Sequence, residues 1–260
     1  MALVRIYLCG RLAIESGDRF VTERALPARQ GRRLWAYLIL NRRRPISRDD
    51  LAGAIWGDEI PDAWDVALTT LVSRVRSAIA PLTSGGTDAC AVAIRGEPGR
   101  YALVAPADTV VDLERARAAL HAAETAARRR AWGDALGEAR VAMEIAARGF
   151  LSGEELPWIE GQRRRLADLH LHAMETTVAA EIGRGRPDLA EREAEQLLAL
   201  DPLREEGYRL LMRAVAADGD THRLASVMDD CRRTLAAQVD ARPSPDTDRL
   251  YAELSAGRSA

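Results

Sequence analysis

The stretch Trp64-Asp65-Val66-Ala67-Leu68-Thr69-Thr70-Leu71-Val72-Ser73-Arg74-Val75-Arg76-Ser77-Ala78-Ile79 decides the fold of the first half of this chain. Trp64, Leu68, Leu71, Val72, Val75 and Ile79 recur at helical spacing and form one apolar stripe. Stepping ~100° per residue sets Thr70, Ser73 and Ser77 opposite the stripe, with Thr69 and Arg76 on one flank and Arg74 on the other. Such a helix buries one face in a core and leaves a small, polar face able to enter a groove.

Working upstream, Ser47-Arg48-Asp49-Asp50 is a capping-box-like start for a short helix that ends at Trp56-Gly57. Before it, Leu34, Trp35, Leu38 and Ile39 mark a first helix behind the basic run Arg29-Gln30-Gly31-Arg32-Arg33. Val4, Ile6 and Leu8, then Leu12 and Ile14, alternate with polar residues as short antiparallel strands do. Downstream, Pro81 to Asp88 reads as a loop. Val92, Ile94, Tyr101 and Leu103 then alternate around Gly96-Glu97-Pro98-Gly99, a β-hairpin with Arg95 and Arg100 at its tip.

Beyond about Val111 the pattern is helix upon helix, broken at 130–134, 149–157, 183–188, 201–202 and 218–220. Gly185-Arg186-Pro187-Asp188 and Gly219-Asp220-Thr221-His222 begin 34 residues apart, the period of a tetratricopeptide repeat. The expected fold is therefore an α+β winged helix-turn-helix domain over 1–108, followed by an all-α tetratricopeptide-like helical bundle over 109–260. The 260 residues suit two domains.

The formal net charge of −2 carries no whole-chain mark of a nucleic-acid or membrane binder. Residues 1–110, however, hold 15 Arg against 12 acids, and the remainder 22 Arg against 27, so the halves carry +3 and −5. No Lys occurs, which leaves Arg as the only cationic side chain and excludes a Lys-dependent phosphate loop. The three Cys, at 9, 90 and 231, form no CxxC pair and suit a reducing compartment. Met1 to Leu8 lacks signal-peptide features and no run reaches ~18 apolar residues, so a cytoplasmic protein without membrane contact is expected.

The residues offer no candidate catalytic or metal site. His170 and His172 lie two apart on a helix and face different ways, and His121 and His222 are isolated. Glu154-Glu155 and Asp229-Asp230 read as solvated acids, and no cofactor motif is present. Nucleic acid is the better fit. The major groove presents a readable pattern of donors and acceptors, and the planar fork of Arg74 matches guanine O6 and N7. Hydroxyls of Thr69, Thr70 and Ser73 can bond bases or backbone, and Arg29, Gln30, Arg32 and Arg33 stand at a helix N-terminus that favours anions.

Arg29-Gln30-Gly31-Arg32-Arg33-Leu34, Arg44-Pro45-Ile46-Ser47-Arg48-Asp49-Asp50-Leu51, Ala54-Ile55-Trp56-Gly57-Asp58-Glu59 and Leu71-Val72-Ser73-Arg74-Val75-Arg76 resemble the OmpR-type winged helix of the Streptomyces antibiotic regulatory proteins. Arg148 to Trp158, Tyr208 to Met212 and Pro243-Ser244-Pro245 are similar to the bacterial transcriptional activation domain of that family. The resemblance covers nearly the whole chain. It implies an activator that binds direct repeats in double-stranded DNA, as a side-by-side homodimer, and recruits RNA polymerase holoenzyme. It further implies that Thr69, Thr70, Ser73 and Arg74 face bases. Arg29, Gln30, Arg32, Arg33, Arg76, Arg95 and Arg100 would face phosphates, and Gly57, Asp58, Glu59 and Asp62 lie in the polymerase-contact loop.

No receiver domain is expected ahead of the first strand and no ATPase after the bundle. Trp56 and Trp64 read as core anchors around the loop, and Trp132, Phe150 and Trp158 as core or as the lining of a pocket. A second reading stays open at this point: a helical interaction scaffold whose winged helix binds protein or has lost its affinity for DNA.

Overall fold

A computed structural model describes residues 3–82 and 92–256. Of the loop expected over Pro81 to Asp88, Pro81 and Leu82 close a short 3-10 turn (Ala80–Leu82), and residues 83–88, like Cys90, lie outside the described residues. The chain forms two compact units. The first runs up to Arg115 and also takes in Arg148–Leu166; the second comprises Ala116–Ala147 and Ala167 onward. The sequence reading sets its boundary at 108/109, whereas the first unit extends further and reclaims a segment from the middle of the helical half.

In the first unit β1 (Val4–Tyr7), β2 (Ala13–Ser16) and β3 (Arg19–Thr22) form an antiparallel meander. Ile6 opposes Ile14, and Ile14 opposes Val21. Three helices follow: α1 (Ala28–Leu40), α2 (Arg48–Trp56) and α3 (Trp64–Ile79), with the two-residue strand β4 (Ile46–Ser47) between the first two. The hairpin β5 (Ala93–Glu97) and β6 (Arg100–Val104) is the wing. It pairs with β4, Ile46 opposite Tyr101, in a three-stranded sheet of order β4-β6-β5. A last strand, β7 (Val110–Val111), pairs in parallel with β1 and closes a four-stranded sheet of order β3-β2-β1-β7.

The alternation read from the sequence is the burial pattern of β1, whereas in β2 Ala13 and Ser16 are buried along with Ile14. Val4, Ile6 and Leu8 are fully buried, as are Leu34, Trp35, Leu38 and Ile39 of α1 and Leu51 and Ile55 of α2. The stripe of α3 packs Leu68, Leu71, Val72, Val75 and Ile79 into the same core, each aliphatic side chain contributing about 1.5–3 kcal/mol. Ser47 caps α2 by accepting from the amide of Asp50 at 3.0 Å.

The second unit contains most of α4 (Asp112–Arg128), α5 (Trp132–Ala146), the latter part of α6 (Pro157–Gly183), α7 (Pro187–Leu200), α8 (Glu205–Asp218), α9 (Thr221–Val239) and α10 (Pro245–Ala256). The helices break where the sequence reading expects turns. Gly219 ends α8 in the left-handed conformation, and Asp220 caps α9 through the amide of Arg223. Tyr208, Leu211, Met212 and Val215 of α8 form a buried cluster with Leu224, Met228 and Cys231 of α9. The motif Pro243-Ser244-Pro245 has a mechanical role. Glu205 accepts from the Ser244 amide and hydroxyl at 2.8 and 2.7 Å and from the Thr247 hydroxyl at 2.6 Å, tying α10 to α8. Cys9 and Cys231 are buried and in no disulfide among the described residues, and burial pushes the Cys231 thiol up to about 11. Among the described residues no helix is long and apolar enough to cross a membrane.

Asp112 closes the first unit. Its buried carboxylate accepts from the amides of Leu8 and Cys9 at the end of β1, at 2.8 and 2.9 Å, and from that of Leu113 at 2.8 Å. Burial raises its pKa above the ordinary 3.8 even against these three donors. Asp112→Ala should lower the stability of this unit by about 3 kcal/mol, because each buried amide left without a partner costs ~1–3 kcal/mol. Urea unfolding followed by tryptophan fluorescence measures it, since Trp35, Trp56, Trp64 and Trp158 all lie in this unit. An unchanged midpoint would mean that the amides find other partners.

Candidate nucleic-acid interface

Burying one side of α3 leaves the opposite side in solvent. Thr69, Thr70, Ser73, Arg74, Arg76 and Ser77 are all exposed, as are Arg95 and Arg100 on the wing. The wing turns at Pro98-Gly99, where Gly99 has φ +70°, the left-handed conformation that the third residue of a Pro-initiated type II turn requires.

Helix α3, helix α2 and the wing are joined by Arg48, the first residue of α2. Its Nε donates to Asp65 Oδ1 at 2.6 Å, and its terminal nitrogens donate to the Asp65 carbonyl at 2.9 Å, Thr69 Oγ1 at 2.8 Å and the Tyr101 hydroxyl at 2.8 Å. The Arg48 amide also donates to the Gly99 carbonyl at 3.2 Å. The Arg48 guanidinium carbon lies 5.4 Å from the centre of the Tyr101 ring and that of Arg76 5.8 Å from it, distances at which a cation is attracted to the π face. Arg76 Nε in turn donates to the Ile94 carbonyl at 3.0 Å. Two arginines and one tyrosine thus register the wing against α3.

These contacts refine the expected roles. The Thr69 hydroxyl accepts from Arg48 and donates to the Asp65 carbonyl at 2.9 Å, so it is engaged inside the module. Thr70 donates to the Val66 carbonyl at 3.0 Å and Ser77 to the Ser73 carbonyl at 3.1 Å. Arg76 is exposed at its edge but anchored at Nε, while Arg74, Arg95 and Arg100 stand at the surface.

The basic run at the start of α1 requires a correction. Arg33 is buried, 7% exposed, and cannot reach a phosphate. Its guanidinium donates to Glu154 at 2.7 Å and to the Ile55 carbonyl at 2.7 Å. Arg29 and Arg32 donate to the same carboxylate at 2.7 and 3.1 Å, while Gln30 is exposed. Glu154, read from the sequence as a solvated acid, is 1% exposed. The cause is the reclaimed segment 148–166. It pairs Phe150 with Cys9 in a β-bridge, bonds the Gly10 amide to the Gly149 carbonyl at 2.9 Å, and donates from Trp158 Nε1 to the Ala54 carbonyl at 2.9 Å. Phe150 is core, at 1% exposure, and Trp158 sits edge-on to it and to Tyr37.

The loop between α2 and α3 lies on the border of a groove of about 840 Å³ within this unit. Half-buried Tyr37, Trp56 and Trp158 line it together with the exposed carboxylates of Asp49, Asp58, Glu59 and Glu155. Trp56 and Trp64 are half-buried. Asp62 is exposed farther along the loop. Gly57 has φ +63°, and a Cβ there would stand 2.7 Å from a Leu156 methyl, so the loop start is fixed by conformation and by contact with the reclaimed segment.

Burial alone would raise the Glu154 pKa, but the hydrogen bonds from Arg29, Arg33 and Arg32 outweigh it and hold the carboxyl below its ordinary 4.5. A carboxylate lowered on folding stabilises the fold fully above pH 4.5, and that contribution fades as the pH falls through the lower folded value. Glu154→Gln should therefore cost about 3 kcal/mol near neutral pH, the lower range for breaking a buried ion pair from one side. Denaturation midpoints of variant and wild type should converge as the pH drops below 4.5; parallel pH profiles would refute the assignment.

The comparisons with known proteins agree with this architecture. The family model for the bacterial transcriptional activator domain matches residues 111–255. The regulatory protein AfsR of Streptomyces coelicolor is 32% identical over 228 residues and that of Streptomyces griseus 30% over 234, each match covering 86% of this chain. The chain spans only 22% of the length of either. The transcriptional regulatory protein MoaR1 of Mycobacterium tuberculosis is 24% identical over 225 residues, covering 86% of this chain and 71% of that protein. The structure of Mycobacterium tuberculosis EmbR in complex with a low affinity phosphopeptide superposes with a TM-score of 0.85 at 24% identity, over 98% of this chain and 65% of that one, and shares the fold. With more than half its length under the family model, the chain belongs to the bacterial transcriptional activator domain family.

Proposed function

We propose that the chain is a sequence-specific DNA-binding activator that places α3 in the major groove and the wing against the adjacent backbone. The observation that carries this reading is the exposed face of α3, with Thr70, Ser73 and Arg74 on a helix whose other face is buried and whose bearing against the wing is set by Arg48 and Tyr101. In this reading residues 1–108 bind DNA and residues 109–260 serve activation. Arg74 bonds a guanine edge, Ser73 and Thr70 face neighbouring bases, and Arg76, Arg95 and Arg100 grip phosphate, with Thr69 acting as a bracket through Arg48. Arg29 and Arg32, shared with Glu154, add little to the phosphate grip. The protein binds direct repeats as a side-by-side pair and recruits RNA polymerase holoenzyme, with Gly57, Asp58, Glu59 and Asp62 offering an acidic surface to a basic one.

Electrophoretic mobility titrations against the promoter region beside its own gene, at several salt concentrations, test the reading. Arg74→Ala should relax base preference, each bidentate contact being worth ~1–3 kcal/mol of discrimination. Arg100→Ala should weaken binding to all sequences alike and reduce the salt slope by about one. Affinity indifferent to salt and to sequence would favour a protein-binding scaffold instead.

The loop assignment is tested separately. The double substitution Asp58→Ala and Glu59→Ala should leave DNA affinity unchanged and reduce transcript yield in a purified system severalfold. Full transcription from that variant would remove the loop from the mechanism.

A further inference from the structure

Among the described residues Val66 is the most exposed of the large apolar side chains in the first unit, at 68%. A lone exposed valine is ordinary on a protein surface, but this one occupies a particular place. At ~100° per residue Val66, Thr70, Ser73 and Ser77 fall within one narrow arc, the centre line of the exposed face of α3, with Arg74 to one side and Thr69 to the other. A β-branched residue at an exposed helical position lowers helix propensity, and at this exposure Val66 contributes little to the core.

The surrounding hydroxyls sharpen its meaning. Thr69, Thr70 and Ser77 each donate their proton to the carbonyl four residues back. For Thr70 and Ser77 the outward chemistry is then that of acceptor lone pairs and, for Thr70, a methyl group, while the Thr69 oxygen is taken up by Arg48. Apart from the Ser73 hydroxyl, the centre of the face is poor in donors, and beside Val66 it presents small apolar surface. Among the base edges in the major groove, the group that matches apolar surface is the 5-methyl of thymine.

We propose that Val66 reads the 5-methyl group of a thymine in each half-site, one helical turn from the base faced by Thr70. This rests on the DNA-binding reading above and extends it to a residue whose contribution is apolar. The sequence preference of the module then combines an Arg74 contact to guanine with a methyl contact at a thymine on the N-terminal side of α3.

The test uses the full chain and duplexes selected by it from a randomised library. In the best selected duplex each thymine is replaced in turn by deoxyuridine, which removes the methyl and keeps O4. At one thymine per half-site the replacement should weaken binding roughly fourfold, the ratio given by losing one buried methylene-sized group. Val66→Ala, which favours the helix, should bind the unmodified duplex roughly fourfold or more weakly and be indifferent to deoxyuridine at that position alone. An unchanged deoxyuridine profile in Val66→Ala would overturn the proposal while leaving DNA binding intact. A library from which no sequence is enriched would overturn the DNA-binding reading, and Val66's role with it.

Discussion

One carboxylate holds the first unit together across the sequence. Glu154 is buried beneath three guanidinium groups from a single helical turn, at separations of 121 to 125 residues along the chain. An unpaired buried charge is too costly to tolerate, so Arg33 and Glu154 each require the other. The aromatic contacts of Trp158, the bridge from Phe150 to Cys9 and the approach of Leu156 to Gly57 all belong to the segment that delivers this carboxylate. The position of the α2–α3 loop is therefore tied to residues that the sequence order would assign to the helical half.

What was legible in the sequence was local. The stripe of α3, the cap at Ser47, the alternation in β1 and the turns of the helical half all follow from periodicities of 2 and 3.6 and from turn chemistry, and the elements lie where these place them. Residues whose role depends on a distant partner were not legible. Arg29, Arg32 and Arg33 look like any basic helix start, and Glu154 like a surface acid, because nothing within a few residues of either reveals the other. One signal was available: Leu34-Trp35-Ala36-Tyr37-Leu38-Ile39-Leu40 contains no polar position, and a helix apolar on all sides is surrounded. A cation at the mouth of such a helix is then expected to have a buried counter-ion.

Arg48 makes the same point within the winged-helix part of the first unit. In the sequence it is the second residue of a capping box; in the fold it ties Asp65, Thr69 and Tyr101 together. Thr69 changes meaning as a result, from a group offered outward to a group held in place. The side chains that face outward on α3 are thus a smaller and more apolar set than the residue types alone suggest.

The return of residues 148–166 to the first unit also bears on how the protein is made. The ribosome adds ~5–20 residues per second, so the roughly 40 residues from Arg115 to Glu154 take about 2–8 s to appear. Throughout that interval α1 has been synthesised but its arginines lack their carboxylate, and the unit reaches its final packing only after part of the helical half has emerged. Gene fusion or recombination at the apparent boundary near residue 108 would separate Arg33 from Glu154 permanently. The two halves of this chain are therefore poor interchangeable parts, and any exchange between relatives that preserves the first unit must carry the segment 148–166 along with it.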